Sequence, residues 1–375
     1  MRADIVRTQL DHNIASTGWK PVSLTEPYGR SKTRYAGKPH GHRTTPLSHP
    51  VYNPPMSVGR SLFLRCFTSP RYFAPLPPGH VFPMRKFPDS AAKLIESGVI
   101  PHTIDPGVIS DLDLLRVHTP DYVQSIRTGR YNEITARRLG LPWSPELSGR
   151  SHAATAGTLA ATRAAMVDGI AANLAGGTHH AFPDRGEGFC VFNDVAVAIR
   201  ALQHDEPYIQ CMVVDLDAHQ GNGTNAIFAD DPHVFTYSVH VGKNYPSTKV
   251  PGSMDVELSR WASADEYFDR LHETLPPAVE RFEPDIAFYI AGADCHEDDR
   301  FGQMKLSTAD MAARDRYAIR LLRGWSIPTV VLYGGGYNKV EGMTTALHCQ
   351  TVEIAARGLG STSASAKADP TSRNT

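Results

Sequence analysis

The chain has 375 residues, with 38 Lys and Arg against 39 Asp and Glu and a formal net charge of -1 with histidine neutral. That balance gives no whole-chain support for a nucleic-acid or anionic-membrane binder, and 41% hydrophobic with 21% charged residues is a globular composition, not a disordered or fibrous one. No apolar run approaches the ~20 residues that cross a bilayer, and five scattered cysteines without a CxxC pair fit reduced thiols in a cytoplasmic setting.

Residues 1–60 carry nine Lys and Arg against three Asp and Glu, with prolines at 21, 27, 39, 46, 50, 54 and 55. Polar turn-formers interrupt every apolar cluster there, so the segment reads as a disordered extension. Arg71 to Lys86 is proline-rich and irregular. Ser151 to Val167 is Ala-rich and predicts a helix despite Gly157, and Ile170 to Ala175 is a short apolar run ending at Gly176-Gly177. Phe189 to Leu202 has helical apolar spacing, with Asn193-Asp194 early in the segment. Cys211 to Leu216, Val234 to Val241, Ile286 to Ile290 and Thr329 to Tyr333 read as buried strands. Helical stretches at Ala264 to Phe282 and Thr308 to Leu322 separate the later ones, and Ser361 to Thr375 reads as a flexible tail. Continuous apolar strands alternating with helices predict one α/β domain over 61–360, a parallel sheet covered on both faces. Its ligand sites should lie beyond the carboxyl ends of the strands.

Several runs end in a polar cluster. Val214-Asp215-Leu216-Asp217-Ala218-His219-Gln220-Gly221-Asn222-Gly223 is the densest. In an extended chain Asp215, Asp217 and His219 project to one side, and a buried strand end does not hold two carboxylates and an imidazole without compensation. Gly292-Ala293-Asp294 adds a carboxylate after another buried strand. Asp217, His219 and Asp294 thus form an Asp-His-Asp donor set with a position open for water, the pattern of a catalytic zinc site; Fe(II) or another divalent ion suits the same donors. Gly176-Gly177-Thr178-His179-His180-Ala181 supplies adjacent imidazoles, one to act as base and one to stay charged. Asp215 and Asn222 are candidates to fix their tautomers. Tyr333-Gly334-Gly335-Gly336-Tyr337 is a tight turn with no GxGxxG or GK[ST] signature, so a nucleotide loop is a weak reading and Tyr337 a candidate donor to the same pocket.

Together these motifs resemble the zinc-dependent histone deacetylase family of the arginase–deacetylase superfamily: G-G-x-H-H-A at 176–181, G-F-C at 188–190, D-L-D-x-H-x-G-N-G at 215–223, G-A-D at 292–294 and G-G-G-Y at 334–337. Gly177 to Ile199 and Asp299-Arg300-Phe301-Gly302 are most similar to the class IV branch and its bacterial relatives. The resemblance implies an eight-stranded parallel sheet with flanking helices and an amide-hydrolysing site. It implies zinc on Asp217, His219 and Asp294, His180 as proton acceptor, His179 as its charged neighbour partnered by Asp215, and Asn222 as partner of His180. Class I members carry an aspartate at the Asn222 position. Tyr337 would donate to the acyl oxygen, and Gly188, Phe189 and Tyr245 would line the channel for an acyl-lysine stem. A structural potassium ion would use Asp215, Asp217, His219, Ser238 and Val239. The implied substrate is an acyl-lysine protein or a small acylated amine such as an acetylpolyamine, with no membrane or nucleic-acid partner indicated. A weakly active acyl-lysine-binding scaffold is the competing class, and an arginase-type ureohydrolase a weaker one that would want a two-metal cluster.

Overall fold

The computed structural model describes residues 61–359; the extension and tail expected at 1–60 and 361–375 lie outside the described residues. Seven strands form one sheet: β1 (Arg65–Phe67), β2 (Ile170–Asn173), β3 (Cys211–Asp215), β4 (Val234–Val241), β5 (Met254–Leu258), β6 (Ile286–Ile290) and β7 (Thr329–Leu332). Their order is β1-β2-β7-β6-β3-β4-β5, and every neighbouring pair is parallel. β2, β3, β6 and β7 are buried at every position, as expected of strands with helices on both faces.

The expected eighth strand is absent among the described residues. Beyond β1 the ladder has only a single parallel bridge, Phe67 to Ile104. Pro101 and Pro106 flank Ile104 and have no N–H to extend the pairing. β1 and β5 themselves were not read from the sequence: β1 is three residues long, and β5 carries Asp255 and Glu257 in a short edge strand.

Helix boundaries follow their caps. The long helix Pro145–Asp168 starts at Ser144, which accepts from the Leu147 N–H, has Pro145 in its first turn, and stops at left-handed Gly169. It begins six residues before the expected start and tolerates Gly157 for a reason the sequence conceals. A Cβ at Gly157 would stand 2.0 Å from the Tyr72 hydroxyl oxygen and 2.6 Å from Asn173 Oδ1. Its absence lets those two groups hydrogen-bond at 2.8 Å over the helix. The helix expected from Phe189 starts instead at Asp194 and runs to Asp205, because Asn193 caps it by accepting from the Ala196 N–H. Helix Ala264–Phe282 matches its expected bounds, and Thr308–Gly324 opens with a Ser307–Asp310 capping box. All five cysteines are buried and unpaired, and no helix among the described residues is long and apolar enough to cross a membrane.

Candidate active site

Four adjacent strands, β2, β7, β6 and β3, deliver the polar motifs to one end of the sheet. The loop after β2 carries His179 and His180, the turn after β7 carries Tyr337, and a single 3-10 turn after β6, Ala293–Cys295, carries Asp294. β3 ends at Asp215, although the Leu216 N–H still bonds to the Ile290 carbonyl across to β6. Strand alternation therefore does not align Asp215, Asp217 and His219. Beyond β3 the chain bends, with the Asp217 N–H donating to Asp215 Oδ1 at 3.1 Å and the His219 N–H to Asp217 Oδ1 at 3.0 Å. These side-chain turns send Asp215 towards His179 and leave Asp217 and His219 to converge with Asp294.

The donor atoms of Asp217, His219 and Asp294 all lie within 4.8 Å of one another, and all three residues are buried. His219 Nδ1 is 3.0 Å from Asp217 Oδ1 and 2.9 Å from Asp294 Oδ2. Donors on a tetrahedral zinc with ~2.0 Å bonds are roughly 3.3 Å apart, and the two separations from His219 are near that value, so the donor set suits such an ion. The outer carboxylate oxygens are already oriented. The Gly335 N–H donates to Asp217 Oδ2 at 2.7 Å and the Ala218 N–H to Asp294 Oδ1 at 2.9 Å. A Cβ on Gly335 would lie 2.4 Å from Asp294 Oδ2, so the middle glycine of the 334–336 turn serves carboxylates, not phosphate. No Lys or Arg among the described residues ion-pairs with either carboxylate. Burial and the neighbouring Asp217 push Asp294 up to about 7, while, against burial, His179 and His219 hold Asp217 well below the ordinary carboxylate range.

The histidines form a pair with opposed electrostatics. His179 Nδ1 is 2.6 Å from Asp215 Oδ2, His180 Nδ1 is 2.8 Å from Asn222 Oδ1, and the two Nε2 atoms face each other at 3.1 Å. Burial works against charge on His179, but Asp215 and Asp217 outweigh it and hold the ring up at about 9. Burial, then the charge of His179 and of His219, holds His180 well below the ordinary histidine range. The two rings are thus biased in opposite directions, His179 towards the charged form and His180 towards the neutral one. Ser238 stands opposite Asp215 in the β3–β4 register, with Val239 next on β4, and the Ser238 hydroxyl lies 2.9 Å from His240 Nδ1.

A cavity of about 380 Å³ reaches the Asp217–His219–Asp294 cluster and is lined by Gly188, Phe189, Tyr245 and Tyr337. The Phe189 ring is 5.5 Å from that of Tyr337, and the Tyr245 ring is 4.8 Å from that of His180 and 6.2 Å from that of His219. Phe189 adopts a left-handed φ of 66°, which turns its ring to this wall and not into a helix.

Three contributors were not read from the sequence, and a fourth, Asp299, entered there only as part of a family motif and without a role. Lys86 and Arg150 line the inner cavity and are buried; burial, then Arg150, lowers Lys86 to about 8, while its Nζ lies 3.3 Å from the Gly334 carbonyl. Asp299 accepts from the N–H groups of Tyr337, Phe301 and Gly302 at 2.6, 2.8 and 3.0 Å, fixing the tyrosine turn. Arg314, wholly buried, donates from one nitrogen to the Leu216 and Gly292 carbonyls at 3.1 and 2.7 Å, tying together the strand ends that carry Asp217 and Asp294. Lys86 sits in the irregular proline-rich stretch, and Arg150 and Arg314 lie on helices far away in sequence, so no local pattern marks them.

Comparison with known proteins identifies the family. Residues 80–352 match the histone deacetylase domain. The chain is 39% identical over 272 residues to an uncharacterised protein of Picosynechococcus sp., covering 72% of this chain and 91% of that one. It is 30% identical over 279 residues to histone deacetylase 2 of Arabidopsis thaliana, covering 69% and 70% of the two chains. The crystal structure of the HDA15 HD domain shares its fold, with a TM-score of 0.65 at 21% identity over 79% of this chain and 91% of that one. The chain belongs to the histone deacetylase family and is a hydrolase of the deacetylase type.

Proposed function

We propose that the chain hydrolyses acyl-lysine amides, using a divalent ion, zinc by the character of its donors, held by Asp217, His219 and Asp294. The observation that carries this reading is the meeting, in one buried cavity, of three converging donors with two imidazoles biased towards opposite charge states. When bound there, the ion supplies Lewis acidity and lowers the pKa of water towards ~7. His180 accepts the proton of the attacking water at Nε2, the nitrogen left basic when Nδ1–H donates to Asn222. His179, kept cationic by Asp215, stabilises the negative charge that develops beside it. Tyr337 donates its hydroxyl to the acyl oxygen as that oxygen becomes an anion, and the proton held by the histidine pair passes to the leaving lysine amine. Phe189, Gly188 and Tyr245 enclose the lysine methylenes, and the buried cations Lys86 and Arg150 suit the carboxylate product at the inner end. By the same resemblance, potassium is the proposed occupant of the oxygens around Asp215, Asp217, His219, Ser238 and Val239.

The test joins metal analysis of the purified protein to turnover of an acyl-chain series on a lysine peptide, set against acetylated polyamines. Stoichiometric zinc or Fe(II) with peptide turnover supports the reading. Absence of both bound metal and turnover with every acyl chain would favour the scaffold alternative.

A further inference from the structure

The two ends of the cavity differ in exposure: Lys86 and Arg150 are buried inside, whereas Arg137, Arg138, Arg300 and Phe301 line it from exposed positions at its mouth. The charged side chains that line that mouth among the described residues are arginines, with Glu187 behind Tyr245 and held by Arg185. The carboxylates lining the cavity among the described residues are Asp217 and Asp294, both at its base.

These arginines are attached to the catalytic walls through the backbone. On one side the Gly188 N–H donates to the Arg138 carbonyl at 3.1 Å and the Phe189 N–H to the Leu139 carbonyl at 2.9 Å, so the end of helix Glu133–Leu139 is fixed to the channel wall. On the other side the Arg300 N–H bonds to the Tyr337 carbonyl at 3.3 Å, and Asn244 Nδ2 donates to the Phe301 carbonyl at 2.7 Å. Local pairing accounts for Arg137, which reaches Glu133 at 3.2 Å one helical turn away. Neither Arg138 nor Arg300 has a carboxylate partner among the described residues. Asp299, next to Arg300 in the chain, is taken by the backbone N–H groups of Tyr337, Phe301 and Gly302. Asp184 and Glu187, close before the Gly188–Phe189 wall, pair with Arg185 at 2.9 and 2.8 Å.

We propose that Arg138 and Arg300 select acyl-lysine substrates whose flanking residues are acidic, and that they disfavour cationic substrates, basic polypeptide tails and acylated polyamines alike. The proposal rests on the acyl-lysine reading above. Two guanidiniums without a carboxylate partner among the described residues put positive potential at the mouth of the cavity, which raises encounter with anions and lowers it for cations. Rejection of the wrong charge contributes as much to selectivity as attraction of the right one. Each exposed pair is worth at most about fivefold, so the two together give a preference on the order of tenfold, screened by salt.

The experiment compares three acetyl-lysine peptides that differ only in flanking Asp, Gln or Lys, together with a monoacetylated diamine. The readout is kcat/KM at low salt and at about 0.5 M salt. The expected order is Asp over Gln over Lys, with the diamine last, and the spread collapses at high salt. In the Arg138→Glu, Arg300→Glu double variant the order of the peptides reverses; a ratio taken within one preparation is unaffected by any loss of folded protein. A flat or reversed order in the parent, or an unchanged order in the double variant, overturns the proposal. If the neutral Gln peptide is not turned over, the acyl-lysine reading fails separately. Fluorescence anisotropy of the labelled Asp and Lys peptides then decides the charge preference: tighter Asp binding sustains it, and equal or weaker binding removes it.

Discussion

Replacing Tyr337 with Phe removes one hydroxyl and leaves the rest of its environment intact. The ring is held by Phe301, Phe189 and Phe82 at 5.2, 5.5 and 6.0 Å between centroids, all contacts that Phe retains. Its main-chain N–H keeps its bond to Asp299, and Gly335 keeps Asp217 oriented. No protein group among the described residues accepts from the hydroxyl, so its loss breaks no internal hydrogen bond, and stability should change by less than ~0.5 kcal/mol. What is lost is a donor to the developing oxyanion, whose removal costs about 10²–10³ in kcat, or roughly 2.7–4 kcal/mol of transition-state stabilisation. Because that interaction strengthens only as charge develops, kcat should fall with KM little changed. The assay is steady-state turnover of an acetyl-lysine peptide, with metal content and thermal unfolding measured on the same preparation. Turnover within a few-fold of the parent at equal metal content would make Tyr337 a turn residue and remove it from the chemistry.

Asp217→Ala or Asp294→Ala deletes one of three donors with no spare carboxylate beside it, so bound metal and activity should be lost together; full occupancy by metal analysis in either variant would refute the ligand assignment. In Asn222→Asp a carboxylate replaces the amide 2.8 Å from His180 Nδ1 and stabilises the imidazolium, raising the pKa of His180. Since the base must be neutral, the acid limb of the kcat/KM–pH profile, low in the parent because burial and His179 depress His180, should move to higher pH; an unmoved limb in a folded variant would contradict the base assignment. Arg314→Met removes the guanidinium that bonds the Leu216 and Gly292 carbonyls and leaves buried Asp315 without its cation, held only by the Tyr289 and Thr351 hydroxyls, at a cost of roughly 3–5 kcal/mol in denaturant unfolding. A loss under ~1 kcal/mol would show that the strand ends hold without it.

The sequence alone marked the α/β class and the core strands, because strands buried on both faces carry short, largely apolar, β-branched and aromatic runs, as β3, β6 and β7 do between helical stretches. It also marked Asp217, His219, Asp294, His179 and His180, because charged and imidazole groups soon after such runs violate the burial rule that governs the rest of the strand, and Tyr337 through the glycine turn that carries it. It left the sheet edges unread, since β1 is three residues long and β5 carries two acids, so neither has the apolar density that marks a central strand. The parity argument for Asp215, Asp217 and His219 described an extended chain, and the chain bends after Asp215. Spacing alone leaves the two imidazoles equivalent, and only the family resemblance distinguished them; in the structure their difference arises from Asp215 and Asn222, 36 and 42 positions away, each reaching one ring. Likewise Lys86, Arg150, Asp299 and Arg314 act on the site from elements whose local sequence satisfies ordinary helix or turn rules. Their roles come from strand order, which sets β2, β7, β6 and β3 side by side and brings distant segments within hydrogen-bonding reach of one cavity.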